Sequence, residues 1–277
     1  MKNKISLLAA MFCIVSSVSA LNPSKEYEMT PKDVDLTFEE VTIPTDDGAQ
    51  LHGWYLPAVS KKTSYKFIII SDDGDGNMAD QIEMASKFLT LGFHVLLYDY
   101  RGYGTSSDFD VKKKFFIHTQ FEKDLQGVLK FVRKTYPKLS KISFYGQGIG
   151  AGLSICVGAN DLKVRYIIAD SPYTYFDDMS KTLGAAGEDF MFPMAYDKIK
   201  MEPKYNLESV TDLDKLNAKL LYIVGNKDPV YHAKMIKVMQ KLRPARTTVY
   251  VVKNATRSNT FSSDKEAYYN QLKDFVE

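Results

Sequence analysis

Cysteine is nearly absent from this chain. Two occur in 277 residues, Cys13 and Cys156. Cys13 lies in the apolar start of the chain and lacks a small residue just before it, so it does not read as a lipoprotein cleavage site. Without that start only Cys156 is left, and one thiol closes no internal disulfide. Cys156 reads as a small buried apolar residue on a helix. Histidine is also scarce. None of His52, His94, His118 and His232 stands at ligand spacing from another His, Cys or acid, so no metal site is expected and no cofactor is called for. An excess of one charge is missing too. The 36 basic and 34 acidic side chains leave a net charge of +2, which makes no electrostatic case for a nucleic-acid partner. The apolar run of residues 5–15 is too short to span a bilayer comfortably. There is no tandem repeat, no low-complexity tract and no sign of a second domain.

That apolar run belongs to a separate object. Lys2 and Lys4 give a positive start, and Ser16-Ser-Val-Ser-Ala20 supplies small residues at its far side. This is the pattern of a secretory signal peptide, residues 1–20, cleaved after Ala20. An uncleaved anchor is the alternative. With cleavage, residues 21–277 form one exported domain, periplasmic or secreted, with no integral membrane segment. The 45% of hydrophobic residues is ordinary for a globular protein of this size.

The rest alternates between strand and helix patterns. Residues 38–43 and 51–56 flank the turn Asp46-Asp47-Gly48 and read as an antiparallel hairpin. Residues 67–70, 93–98, 165–169, 219–224 and 247–252 are short apolar runs, as strands covered on both faces require. Helical spacing recurs over 78–91, 121–136, 233–242 and 264–275. Residues 172–215 are the least regular stretch and read as a lid-like excursion whose aromatics and methionines either line an apolar cleft or simply pack. The order predicts an α/β fold, a mostly parallel sheet with helices on both faces and an antiparallel N-terminal edge. Ligands in such sheets sit beyond the carboxyl ends of the strands.

The centre of the pattern is Lys141-Ile-Ser-Phe-Tyr-Gly-Gln-Gly-Ile-Gly-Ala-Gly152, a strand, a sharp turn and a helix. It resembles the nucleophile elbow Gly-x-Ser-x-Gly of the α/β-hydrolases, the small serine hydrolases that include esterases and peptidases. Three further loops carry the resemblance in order. Asp99-Tyr-Arg-Gly-Tyr-Gly-Thr-Ser106 fits Asp-x-Arg-Gly-x-Gly-x-Ser, and Gly225-Asn-Lys-Asp-Pro-Val230 fits the acid loop. Asn254-Ala-Thr-Arg-Ser-Asn259 follows the last strand, where the family has its histidine.

The resemblance implies a Ser-His-Asp triad, and the chain departs from it. Gly148 stands at the nucleophile position and has nothing to attack with. Arg257 stands at the histidine position and stays protonated, so it is no base. Only Asp228, the acid, is retained. The former oxyanion region is Asp73, Gly74 and Ile149; in its Ser71-Asp-Asp-Gly-Asp-Gly-Asn77 loop, Asp72 or Asp73 replaces the family's His, and a carboxylate there repels developing negative charge. Asp228 either pairs with Arg257 across the old site or is a turn residue beside a solvated arginine. Ser143 and Ser154 read as structural, His118 and His232 as surface or satisfied histidines, and Lys112-Lys-Lys114 as an exposed loop. The expectation is a catalytically impaired, pseudo-hydrolase member of the fold that binds a small molecule or a protein. One alternative is an active ester or peptide hydrolase with a non-standard site. Another is dinucleotide binding, since Gly146-Gln-Gly-Ile-Gly-Ala151 also fits Gly-x-Gly-x-x-Gly/Ala, and Asp170 ends the next strand.

Overall fold

The computed structural model describes residues 21–59, 64–174, 176–185, 187–188, 190–192, 216–231 and 233–277. The expected signal peptide, the greater part of the excursion over 172–215 and His232 lie outside the described residues. Eight strands make one sheet: β1 Glu39–Pro44, β2 Gln50–Leu56, β3 Lys66–Ser71, β4 His94–Tyr98, β5 Lys141–Gln147, β6 Tyr166–Asp170, β7 Lys219–Gly225 and β8 Thr247–Val252. Their order across the sheet is β8-β7-β6-β5-β3-β4-β2-β1. The β1/β2 and β2/β4 pairs are antiparallel and the others parallel, which is the expected N-terminal edge on a parallel sheet.

Among the described residues the longer helices are α1 Ile82–Thr90, α2 Gln120–Thr135, α3 Ile149–Ala159, α4 Phe176–Ala185, α5 Ala233–Leu242 and α6 Lys265–Val276. Strand alternation divides the core between the two faces. Phe67 and Ile69 of β3 point into the cluster covered by α2, α3, α4 and α5. Ile68 and Ile70 point into the other, covered by α1 and α6. The unbroken apolar strand therefore has a simple cause: both of its faces are roofed by helices.

Among the described residues of the excursion, most side chains named by the aromatic and methionine pattern join the core, and Phe190 and Phe192 pack against it partly buried. Tyr173, Phe176, Met179 and Leu183 are all buried. Phe116 packs edge-on to Tyr173, and Phe192 lies 5.3 Å from Phe116 between ring centroids. A strap of residues 21–28 crosses the carboxyl side of the sheet. Asn22–Pro23 pairs in parallel with Asp75–Gly76, and the Tyr27 ring packs tilted against Trp54, 4.9 Å between centroids.

Candidate functional site

Strand β5 ends at Gln147 and α3 starts at Ile149, so Gly148 alone makes the turn. Its φ of 54° and ψ of −116° lie in a region that side chains avoid. Its N–H donates to the Asp170 carbonyl of β6 at 2.9 Å, which pins the turn to the next strand. A Cβ on Gly148 would lie 2.9 Å from the Cβ of Asp73, inside contact distance. The flanking glycines serve backbone contact. A Cβ on Gly146 would meet the Gly150 carbonyl at 2.2 Å, and one on Gly150 the Ser71 carbonyl at 2.4 Å.

Facing that turn is the loop after β3. Asp72 is buried. Its Oδ1 accepts from the Gly74 N–H at 2.8 Å and its Oδ2 from Gln81 Nε2 at 2.9 Å. Burial, and then the neighbouring Asp73 charge, push the Asp72 carboxyl well above the usual range. Asp73 accepts from the Asp75 N–H at 3.0 Å. Burial pushes its carboxyl up as well, and the charge of Arg257 works against that rise. Two tyrosines of the loop after β4 brace this segment from below. Tyr100 Oη donates to the Asp72 carbonyl and Tyr103 Oη to the Gly74 carbonyl, both at 3.0 Å. An open cavity of about 400 Å³ is lined by Asp72, Asp73, Asp75, Asp80, Gln81 and Gln147, with Gly76 and Ser258 at its edge. Its walls are acidic. Among the described residues no group of three or more His, Cys, Asp or Glu is placed to hold a metal ion.

Asp228, after β7, is buried. Its Oδ1 accepts from the N–H groups of Val230 and Tyr231 at 2.8 and 2.7 Å, and its Oδ2 from the backbone N–H of Arg257. Asp228 thus closes its own turn, as the turn-residue alternative has it, and meets Arg257 through the backbone N–H, while the guanidinium lies 5.5 Å above the Tyr231 ring. The Arg257 carbonyl accepts from Gln147 Nε2 at 3.2 Å, closing the ring of loops around Gly148. Gly148, Asp228 and Arg257 are therefore brought together at the carboxyl edge of the sheet. Gly74 and Ile149 adjoin them: a Cβ on Gly74 would lie 2.9 Å from Ile149 Cδ1.

Asp170 does not serve the dinucleotide reading. It is fully buried. Its oxygens accept from Ser171 Oγ at 2.9 Å, Thr260 Oγ1 at 2.6 Å and Tyr268 Oη at 2.8 Å. No ribose can reach it, and the glycines are already used by backbone packing, so that alternative is corrected. The role of the Asp170 carboxyl as a buried hub for Ser171, Thr260 and Tyr268 was missed; the signal was an acid closing an apolar strand. The remaining candidates behave structurally. Ser154 Oγ donates to the Gly150 carbonyl at 2.7 Å. Ser143 and Cys156 are buried. His118 is buried between Phe109 and Phe115, and its Nε2 accepts from the Lys112 N–H at 3.0 Å. Lys112, Lys113 and Lys114 are exposed.

No protein-family model matches the chain. Curated proteins do resemble it. An α/β-hydrolase domain-containing protein of Arabidopsis thaliana, WAV2, is 23% identical over 268 residues, covering 92% of this chain and 83% of the relative. Protein bem46 of Schizosaccharomyces pombe is 23% identical over 258 residues, covering 91% and 81%. Among solved structures, an esterase of Pyrococcus furiosus superposes with a TM-score of 0.73 at 21% identity, over 92% of this chain and 96% of that one. A putative α/β hydrolase of Agrobacterium tumefaciens gives 0.60 at 17% identity, over 86% and 94%. The chain has the α/β-hydrolase fold. This α/β-hydrolase sheet carries at its carboxyl edge a glycine turn, an arginine and an acid-lined cavity. Among the described residues no helix is long and apolar enough to cross a membrane.

Proposed function

We propose that this α/β-hydrolase-fold protein is exported and binds a ligand or partner in the cavity beside Gly148 without hydrolysing it. One observation carries the reading: Gly148 has no nucleophile, and the place its side chain would enter is taken by Asp73. In this reading Gly148, Arg257 and Asp228 stand at the nucleophile, histidine and acid positions of a degenerate triad. Asp73, Gly74 and Ile149 are the former oxyanion region. Arg257 is always a cation and takes no proton from a hydroxyl. The carboxyls of Asp72 and Asp73 oppose the negative charge an acyl-transfer intermediate would develop. The acidic lining favours a neutral or positively charged ligand over an anion. Export is supported by the Lys2, apolar and small-residue pattern ending at Ala20.

A second reading, an ester or peptide hydrolase with a non-standard site, is favoured by one finding: the solved structure that superposes at 0.73 is an esterase. The test is direct. The protein comprising residues 21–277 is incubated with a fluorophosphonate probe and a panel of short-chain aryl esters, and intact mass and turnover are read. No adduct and no turnover are expected. A mapped adduct or turnover sinks the binding reading, and the labelled residue names the nucleophile.

A further inference from the structure

Leu21 is the first residue after the expected cut, and it is not at the surface. It is fully buried. A Cβ on Gly74 would lie 2.8 Å from Leu21 Cδ2, so the side chain sits against the loop that faces the Gly148 turn. The backbone then adds to that loop as a short parallel strand. The Asn22 N–H donates to the Gly74 carbonyl at 2.9 Å and the Ser24 N–H to the Gly76 carbonyl at 2.8 Å. Asn22 Nδ2 donates to Asp75 Oδ1 at 3.0 Å. Further along, Asn77 Nδ2 donates to the Glu26 carbonyl at 2.7 Å. An ordinary chain terminus frays; this one is held from the residue beside the cut.

Asp72, Asp73 and Asp75 of the loop it joins line one cavity together with Asp80. The charge of Arg257 acts on Asp73, and Lys113 Nζ donates to Asn22 Oδ1 of the strap at 2.9 Å. Asp72 is buried, Asp73 is half-buried, and Asp75 and Asp80 are exposed; so many carboxyls in one place favour a further positive charge nearby. Consecutive Cα atoms are about 3.8 Å apart, so the backbone nitrogen of Leu21 lies within one residue of the Asn22–Gly74 hydrogen bond.

We propose that Leu21 is the first residue of the working protein and that its α-ammonium seats against the acidic loop 71–77, so that removal of residues 1–20 completes this face of the fold. The inference rests on the export reading above and is independent of whether the protein hydrolyses anything. The new amine adds one positive charge beside Asp73 and Asp75, and the Leu21 side chain fixes where it stands.

Two measurements test it. The full chain is expressed in an exporting host and the N-terminal residue of the exported protein is read by mass spectrometry. Leu21 is expected; any other first residue, a retained Met1 included, overturns the proposal. Separately, protein released from a cleavable fusion so that Leu21 is residue one is acetylated with limiting acetic anhydride across a pH series. The N-terminal peptide is quantified folded and in urea. In the folded protein the α-amine is expected to react at least about tenfold more slowly at pH 7.5. Its midpoint should be raised by about one pH unit above the ordinary 7.7–8.0, and Asp73→Asn or Asp75→Asn should reverse part of that. An amine that reacts alike folded and unfolded overturns the docking, whatever the Asn variants do. The first arm needs no activity assay and the second no export, so neither failure is confused with a failure of the non-catalytic reading.

Discussion

The Cβ of Asp73 stands 2.9 Å from the point where a side chain on Gly148 would begin. The two positions are matched: glycine leaves the turn without a side chain, and the Cβ of Asp73 on the opposite loop fills the space. Restoring the serine alone is therefore expected to fail. Gly148→Ser places a side chain at φ 54° and against Asp73, which should cost about 1–3 kcal/mol of stability. Neither it nor Gly148→Ser with Arg257→His is expected to form a fluorophosphonate adduct. Adding Asp73→Ala keeps the offending Cβ and should not suffice, whereas adding Asp73→Gly should allow slow labelling. Intact mass after probe treatment, with urea midpoints, checks the series. An adduct on Gly148→Ser alone would show that Asp73 is no obstacle.

Arg101 holds the loop after β4 through two carboxylates. Its Nε donates to Asp124 Oδ1 at 2.8 Å, its backbone N–H to Asp124 Oδ2 at 3.0 Å, and Nη1 and Nη2 reach Asp47 at 3.0 and 2.8 Å. Asp124 has no solvent exposure. Arg101→Met leaves that carboxylate buried without its cation and should destabilise the fold by about 3–5 kcal/mol. Arg101→Lys keeps the charge but loses the fork and should fall between. Urea unfolding of the three proteins measures it; a cost under about 1 kcal/mol for the Met variant would place Asp124 in the neutral form.

The hydrogen bonds from Tyr100 and Tyr103 to the carbonyls of Asp72 and Gly74 shape the cavity from behind. Tyr103→Phe removes one donor to a buried carbonyl and should lower stability by about 1 kcal/mol. Because the loop it releases lines the cavity, the Asp72–Asp75 amides should also exchange faster with deuterium, while those of β8 should not change. Equal exchange throughout would mean that the loop is held by other contacts.

The sequence made the sheet readable because its signal is local. The apolar run at 67–70 was enough to name β3, and residues 233–242 and 247–252 were read as helix and strand with the bounds found for α5 and β8. The Gly148 turn was readable for the same reason, since strand, glycines and helix are consecutive. What was hidden depends on residues far apart in the chain. Tyr103 meets Gly74, Leu21 meets the same loop, and Thr260 meets Asp170 across ninety positions. No periodicity marks such pairs. The motif Asp99 to Ser106 announced a familiar loop but not that Arg101 would reach Asp47 and Asp124. Arg257 was placed beside Asp228 by its order in the chain, yet contact through its backbone N–H, not its charge, is a matter of loop geometry that composition does not carry.

The buried carboxyl of Asp170 gives the fold a pH response. Burial pushes its carboxyl up to about 6 from an ordinary 3.8, with the hydroxyls of Thr260, Tyr268 and Ser171 holding the rise in check. The folded value is above the unfolded one, so the unfolded chain loses this proton first as pH rises. The stabilisation of the protonated form is therefore fully present below about 4 and is lost as pH climbs through about 6. About two pH units at 1.36 kcal/mol each put an upper bound near 3 kcal/mol on the change. Asp170→Asn cannot ionise, and the surrounding hydroxyls can turn to meet an amide. The stability of the native protein minus that of Asp170→Asn should fall between pH 4 and pH 6.5 and be level on either side. Urea midpoints across that range give the difference directly. A difference that stays constant from pH 4 to pH 7 would mean Asp170 is ionised throughout, held by its three hydroxyl donors.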